Sequence, residues 1–484
     1  MGALMISRRR FIKASATAIA SPIITSTFAF SQATRVRRDV TTMTVTDPFF
    51  AKYASAVRRM HELPSGDRRN WRNQALIHIN HCPHGTQDFT HWHRHYIANF
   101  EAICGELIGD QTFALPYWNW SNNSGRIPDA FYDLNELSVA FWKDPANASS
   151  SNWPGGQVTT VGARNLAKGQ GLQEDPLRGG SFAQSSIDTI QRLTNYGVYV
   201  RRLEGSPHNN AHVLTGGMSG HMGNGMSPLD PIFWLHHCNV DRLWALWQAA
   251  GNSTPPLARS YAGQFANGAG QPVTTATSAN ALDISSFGYT YDDLSGPLVE
   301  TLSRRLDLRP VASQTVVNDQ AVRTALQTLG SDANEQTVPL RVETRFAVNT
   351  PNLISSLFQP RAYWAPDVLG VRRIAIEPGR IVAKLANVQG PKDNAPIIVN
   401  VFVNCPYLSS ETAYTDLHFA GSFSFFGAHH HSDYYVDITE PLKKLASEGR
   451  IATDQVNVQL MPQPVGDVRA DTTFTVGSVD LLSA

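Results

Sequence analysis

From about residue 34 to about residue 305, apolar positions recur three and four apart, the spacing of a helix face packed on a core. Long stretches rich in Gly, Pro, Ser and Asn interrupt them, most clearly "SSSNWPGGQVTTVGARN" and "GNSTPPLARSYAGQFANGAGQP". From about Val338 the texture changes to short runs of β-branched and aromatic residues between turn residues. "RIAIEPGRIVAKL", "APIIVNVFVNCPY", "GSFSFFG", "QVNVQLMPQ" and "DTTFTVGSVDLL" read as strands. The pattern predicts a mainly α domain with long loops over 34–305, a connector over 306–339, and an all-β, sandwich-like C-terminal domain over 340–484.

The helical periodicity also sorts the polar residues. In "THWHRHYIANFEAICGEL", a helix starting near Thr90 turns about 100° per residue and puts Trp92, Tyr96, Ile97, Phe100, Ile103, Cys104 and Leu107 on one arc of about 140°. His93 falls inside that arc, whereas His91, Arg94 and His95 fall outside it. The pattern therefore predicts His93 in the core and His91 and His95 facing solvent. Upstream, "NWRNQALIHINHC" predicts a helix on which His78 and Cys82, four apart, share a face. His81 is adjacent to that face, and His61 reads as a helix-end residue. Further on, Ser206-Pro207 marks a helix start, and His208 and His212 form an i,i+4 pair. A helix from Asp230 lines up Phe233, Val240, Leu243, Trp244 and Trp247 with His237. His236 lies near the edge of that face, so periodicity leaves the choice between the two open.

The placement of histidine is more informative than its amount. Eleven of sixteen fall in two windows, His78 to His95 and His208 to His237. Three inward imidazoles from each window would make two three-coordinate sites with open positions. Zinc prefers four tetrahedral ligands, often including Cys or carboxylate, so an all-imidazole pair suits copper and small-molecule chemistry better.

Composition narrows the rest. Forty basic and forty acidic residues cancel, which argues against nucleic acid or an anionic membrane as partner. The four cysteines, Cys82, Cys104, Cys238 and Cys405, are too few for a disulfide scaffold. At the N-terminus, "SRRRFIKASATAIASPIITSTFAFSQA" has a basic start, an apolar middle and Ala33 at a cleavage point. The run Ser7 to Lys13 is similar to a twin-arginine export signal, so residues 1–33 are expected to be a leader and the mature chain an exported one, without stable membrane insertion.

Two signatures then resemble one family. "HGTQDFTHWHRHYIANFE" and "DPIFWLHHCNVDRLW", with "LPYWNW" and "PHNNAH" around them, are similar to the tyrosinase, catechol oxidase and molluscan hemocyanin group of type 3 copper proteins. The resemblance implies two copper ions, one on His78, His84 and His93, the other on His208, His212 and His237, with O2 as co-substrate. It resolves the His236/His237 choice in favour of His237. It also implies a thioether between Cys82 and the ring of His84. Thr90 and His91 depart from the family pattern, where a Leu/Phe-Pro pair is more usual.

What the resemblance implies chemically is oxidation of small phenols: hydroxylation of monophenols and conversion of o-diphenols to o-quinones. An incoming phenol must lose a proton whose unperturbed pKa is near 10. The resemblance gives Glu204 and Asn209 the task of positioning a water as base. Asp241, four after His237, is expected either to orient a histidine or to pair with an arginine. The β domain is expected to lie over the site and keep the enzyme latent, plugged by Tyr407 or by a phenylalanine of "GSFSFFG", with Phe423 and Phe425 singled out. Asn224 and Met226 are expected near the gate of the second copper, Cys405 near copper during loading, and His429 to His431 in a solvated loop. Alternatives are a catechol-only or o-aminophenol oxidase, a hemocyanin-like oxygen carrier and, more remotely, a dizinc hydrolase. Self-association is compatible with the sequence.

Overall fold

The computed structural model describes residues 34–138, 164–255, 257–294, 326–351, 353–358, 360–365, 373–426, 431–451 and 454–483. The leader, residues 306–325 of the connector, and the side chains of His429, His430 and His431 lie outside the described residues.

The helical part is built from α1 (Pro48–Glu62), α2 (Trp71–His81), α3 (Phe89–Ile108), α4 (Ala130–Asp133), α5 (Gln184–Gln191), α6 (Tyr196–Leu203), α7 (Asn209–Gly216) and α8 (Ile232–Ala249). Local chemistry sets their ends. The Asp47 side chain accepts the Phe49 N–H at 2.9 Å, with Pro48 in the first turn, where its missing donor costs nothing. Asn70 caps α2 by accepting the Arg72 N–H at 3.0 Å. α3 stops at Gly109, whose φ of 71° is open to glycine and costly for other residues.

α3 and α8 pack through aromatic rings. Phe100 and Trp234 stack with centroids 3.4 Å apart and planes 7° apart, and Tyr96 lies 4.7 Å from Trp234. The Tyr53 hydroxyl of α1 donates to Pro231 O at 2.9 Å, tying α1 to the start of α8. Beyond area burial, such ring pairs add about 0.5–1.5 kcal/mol each, which makes this seam a rigid floor for the histidines above it. A short parallel pair, β1 (Arg35–Arg37) and β2 (Tyr289–Tyr291), closes the far side.

The C-terminal part is a sandwich, as the strand pattern predicts. Among the described residues, one sheet contains β5 (Thr344–Asn349), β9 (Ile397–Val403), β10 (Phe419–Ser424) and β12 (Gln455–Pro464), in the order β10-β9-β12-β5. The other contains β3 (Gln327–Asp332), β4 (Gln336–Pro339), β8 (Ile381–Gln389), β11 (His431–Asp437), β13 (Thr473–Val476) and β14 (Ser478–Ser483), so the sandwich begins inside the stretch expected to be the connector and not at residue 340; β6 (Pro360–Ala365) and β7 (Arg373–Pro378) pair separately. Alternate residues of β9 show why its run is apolar at every position but Asn400. Ile397, Val399, Val401 and Val403 enter the sandwich core, whereas Ile398 joins the core of the helical part. Asn400, on that same side, donates its side-chain N–H to Leu177 O at 2.6 Å. A strand buried on both faces needs no polar alternation. Residues 34–484 thus form one compact unit.

Candidate metal centre

Six histidines converge from separate elements: His78 from α2, His84 from the turn after it, His93 from α3, His208 from the turn joining α6 to α7, His212 from α7 and His237 from α8. All six are buried. The ligating atoms of His78, Cys82, His84 and His93 lie within 4.8 Å of one another, and so do those of His208, His212, His236 and His237. The two groups touch. The His93 and His237 rings stack at 4.0 Å and 7°, and His84 lies 5.5 Å from His208.

Backbone carbonyls set the tautomers. His78 Nδ1 donates to Gly225 O at 2.9 Å, His93 Nδ1 to Phe89 O at 2.8 Å and His212 Nδ1 to Met222 O at 2.8 Å. His208 Nδ1 donates to Asn209 Oδ1 at 2.8 Å. A carbonyl oxygen only accepts, so each of these rings carries its proton on Nδ1 and its lone pair on Nε2. The Nε2 atoms of His78, His208, His212 and His237 are buried without a protein hydrogen-bond partner. Burial holds the rings neutral: it lowers His78 to about 4 and His208 to about 3, and pushes His93, His212 and His237 well below the ordinary value. Neutral, pre-aimed imidazoles in two adjoining groups fit a pair of copper ions, and these residues match that requirement.

Several sequence expectations need correction. His91 and His95 do not face solvent; they are 0% and 3% exposed. His91 packs on Trp244 and Tyr196, and His95 Nε2 hydrogen-bonds Thr277 O at 2.9 Å. α6 and α8 cover α3 at His91, and the loop after α8 covers it at His95, so the helix has no solvent face at either position. His236 is likewise fully buried, 5.1 Å from Trp120 and among the second histidine group.

Asp241 touches no histidine. Its oxygens accept from Arg94 Nε and from the hydroxyls of Tyr289 at 2.7 Å and Tyr291 at 2.6 Å. It is thus the arginine partner of the two options, and it ties β2 to α3 and α8.

The β-domain ring that lies against the histidines is Phe426, and neither Tyr407, Phe423 nor Phe425 occupies that place. Phe426 stacks on His212 at 3.8 Å and 18°, and lies 5.3 Å from His84 and 5.9 Å from His208. The alternation of β10 explains this. Phe423 and Phe425 point into the sandwich against Tyr434 and Phe474, while Ser422, Ser424 and Phe426 face the helical part. Tyr407 is 53% exposed and packs beside His418. The parity of the strand was visible in the sequence, but not which face met the histidines.

Glu204 and Asn209 are both buried at the site. Glu204 Oε1 accepts the Gly85 N–H at 2.6 Å, beside His84, and burial pushes its carboxyl up to about 7. Asn209 takes the His208 proton on its oxygen and donates its own N–H to Ser424 O at 3.0 Å. Cys82 forms no disulfide, and its Sγ lies 3.4 Å from His93 Nε2. Asn224 caps the Met226 N–H at 2.9 Å and so shapes the loop whose carbonyls hold His78 and His212.

Comparison with known proteins agrees with this geometry. The family profile for the common central domain of tyrosinase matches residues 53–250, and a domain family of unknown function matches 328–484. The chain is 27% identical over 466 residues to a tyrosinase of Hahella sp. (strain CCB-MM4), covering 90% of each chain. It is 33% identical over 195 residues to a tyrosinase of Streptomyces antibioticus, covering 36% of this chain and 67% of that one. In fold it is similar to latent apple tyrosinase, with a TM-score of 0.56 at 20% identity over 93% of this chain and 98% of that one. With the matched domain falling on the elements that carry all six histidines, the chain belongs to the tyrosinase family of type 3 copper proteins.

Proposed function

We propose that this chain is a latent tyrosinase: a dicopper phenol oxidase that hydroxylates monophenols, oxidises o-diphenols to o-quinones, and is shut by its own β domain. The observation that carries the reading is Phe426, an aromatic ring stacked on His212 between the two histidine groups, where a phenol would have to lie. Bound on His78, His84, His93, His208, His212 and His237, copper would supply the electrons that reduce O2 and deliver oxygen to the ring.

The chain's own residues supply orientation and proton handling. The carbonyls of Phe89, Met222 and Gly225 fix the ring planes before any metal arrives. The phenol proton has an acceptor in Glu204, whose carboxyl at about 7 is matched to neutral pH. Asn209 sets the orientation of His208 through its side-chain oxygen. When the β domain leaves, the Asn209 N–H loses Ser424 and becomes available beside Glu204.

This assignment has a discriminating test. Asn209→Ala should lower monophenol hydroxylation about tenfold or more, within the usual range for a lost proton-transfer element, and lower catechol oxidation less. Equal losses on both substrates would remove the proton-handling role of Asn209, and failure of the unaltered chain to hydroxylate a monophenol while oxidising its catechol would make it a catechol oxidase instead. The export leader and the Cys82–His84 thioether belong to the same proposal, and intact mass reads both. Mature copper-loaded protein should begin after Ala33 and be lighter than its sequence by two hydrogens. A full-length chain or an unmodified mass would remove the respective element. No helix among the described residues is long and apolar enough to cross a membrane.

A further inference from the structure

A second cluster of metal-ligating side chains lies in the β domain, apart from the six histidines. The loop 404–418 leaves β9 and returns to β10, the strand that leads to Phe426. Cys405 stands at the start of that loop, and Asp416 and His418 at its end. Their Sγ, carboxylate and imidazole atoms lie within 4.8 Å of one another, with Cys405 and His418 each 1% exposed.

The cluster is pre-organised as metal sites are. His418 Nδ1 donates to Val403 O at 2.8 Å, which leaves the lone pair on Nε2. Cys405 is held on both sides of its backbone by the buried Gln459, whose oxygen accepts the Cys405 N–H at 2.6 Å and whose N–H donates to Cys405 O at 2.7 Å. Burial pushes the Cys405 thiol up, and the Tyr407 backbone N–H, in the turn Cys405-Pro406-Tyr407, opposes that shift only in part, so the sulfur keeps its proton until a cation displaces it. Asp416 accepts the His418 N–H at 2.9 Å and the Tyr407 hydroxyl at 3.1 Å. The remaining neighbour is Arg450, whose Nη2 donates to His418 Nε2 at 3.1 Å. Its side chain is 37% exposed and also pairs with Glu448, so it has room to turn away.

We propose that Cys405, Asp416 and His418 bind one thiophilic divalent cation of the zinc type, distinct from the copper pair. Cys, His and carboxylate are a zinc donor set, with the fourth position left to water. On binding, the Cys405 thiol releases its proton to solvent, and Arg450 is displaced towards Glu448. The ion would join the two ends of a loop that also docks on the helical part, where the Tyr414 N–H donates to Pro176 O at 3.0 Å and its hydroxyl to Gln173 O at 3.1 Å. A cation here would therefore stiffen the support of the strand that positions the plug.

The test adds Co(II) to the full-length, copper-loaded chain kept free of oxygen. The expected result is one Co(II) per chain, with a sulfur-to-cobalt charge-transfer band in the near ultraviolet. Cys405→Ser should abolish the band, Cys82→Ser should leave it, and His418→Gln should weaken binding at least tenfold. Arg450→Gln should tighten binding, because a competing cation is gone. Zn(II) should raise the melting temperature of the unaltered chain and not of Cys405→Ser. Absence of the thiolate band, its survival in Cys405→Ser, or its loss in Cys82→Ser alone would overturn the assignment.

Discussion

Phe426→Ala is expected to raise the catechol-oxidising rate of the intact, uncut chain about 10- to 100-fold. Phe426 is 8% exposed, and its ring faces His212, His84 and His208. Burying a phenylalanine is worth about 1.5–3 kcal/mol, and each 1.4 kcal/mol shifts an equilibrium about tenfold. That energy favours the closed arrangement, so removing it both vacates the ring's position and raises the open population. The rest of the contact is mixed: Val382, Ile398 and Val465 of the β domain join the apolar core of the helical part, and several bonds are polar. Ser181 Oγ meets Ser422 Oγ at 2.8 Å, Arg202 Nη1 donates to Ser422 O at 3.0 Å, and Asn209 donates to Ser424 O. Water can replace such polar bonds when the domains part, whereas Val382, Ile398 and Val465 keep their apolar burial in the variant, so Phe426→Ala loosens the contact without abolishing it. Steady-state rates on catechol for the unaltered chain, Phe426→Ala and Tyr407→Ala check this. Tyr407→Ala should match the unaltered chain. Equal rates for the Phe426 variant would show that the ring does not obstruct the site.

Asp241→Ala is expected to cost about 3–5 kcal/mol of folding stability, the usual penalty for removing one partner of a buried ion pair. Against a typical total of about 5–15 kcal/mol, this is a large fraction. The carboxylate is 2% exposed and takes Arg94 and two tyrosine hydroxyls, with Arg37 Nη1 3.6 Å away. Without it, the fully buried Arg94 keeps only neutral partners, Ala281 O at 2.9 Å and Gln248 Oε1 at 3.2 Å, and its stacking over Trp244 at 3.8 Å. Denaturant unfolding measures the loss. Asp241→Asn, which retains an acceptor for the tyrosines, should fall between. Because Asp241 holds no histidine, the folded Asn variant should bind copper like the unaltered chain; selective loss of copper would restore an orienting role.

Much of this was legible in the residues. Helical period placed His93 in the core, the i,i+4 spacing paired His208, which ends the turn before α7, with His212 on α7, and the strand runs after Val338 marked a sandwich. What period cannot show is the surroundings of an element. His91 and His95 lie on the polar side of α3, yet Trp244 and Tyr196 cover His91 and the loop carrying Thr277 and Tyr261 closes over His95. The alternation of β10 separates Phe423 and Phe425 from Phe426, but only the docked sheet shows which set faces the histidines. The grouping of Cys405 with Asp416 and His418 depends on a loop folding back on itself, which no local pattern encodes. Asp241 had two readings of equal local merit, and the buried tyrosines of β2 decided between them.

The central claim is that six imidazoles hold two copper ions in one buried cavity. Metal analysis of the chain expressed with copper, combined with its dioxygen uptake, tests it most directly. The account predicts two copper ions per chain and an oxygen-dependent near-ultraviolet band, with His93→Ala and His237→Ala each reducing copper to one or none and abolishing uptake. Retention of both ions and undiminished dioxygen uptake in either variant would contradict it.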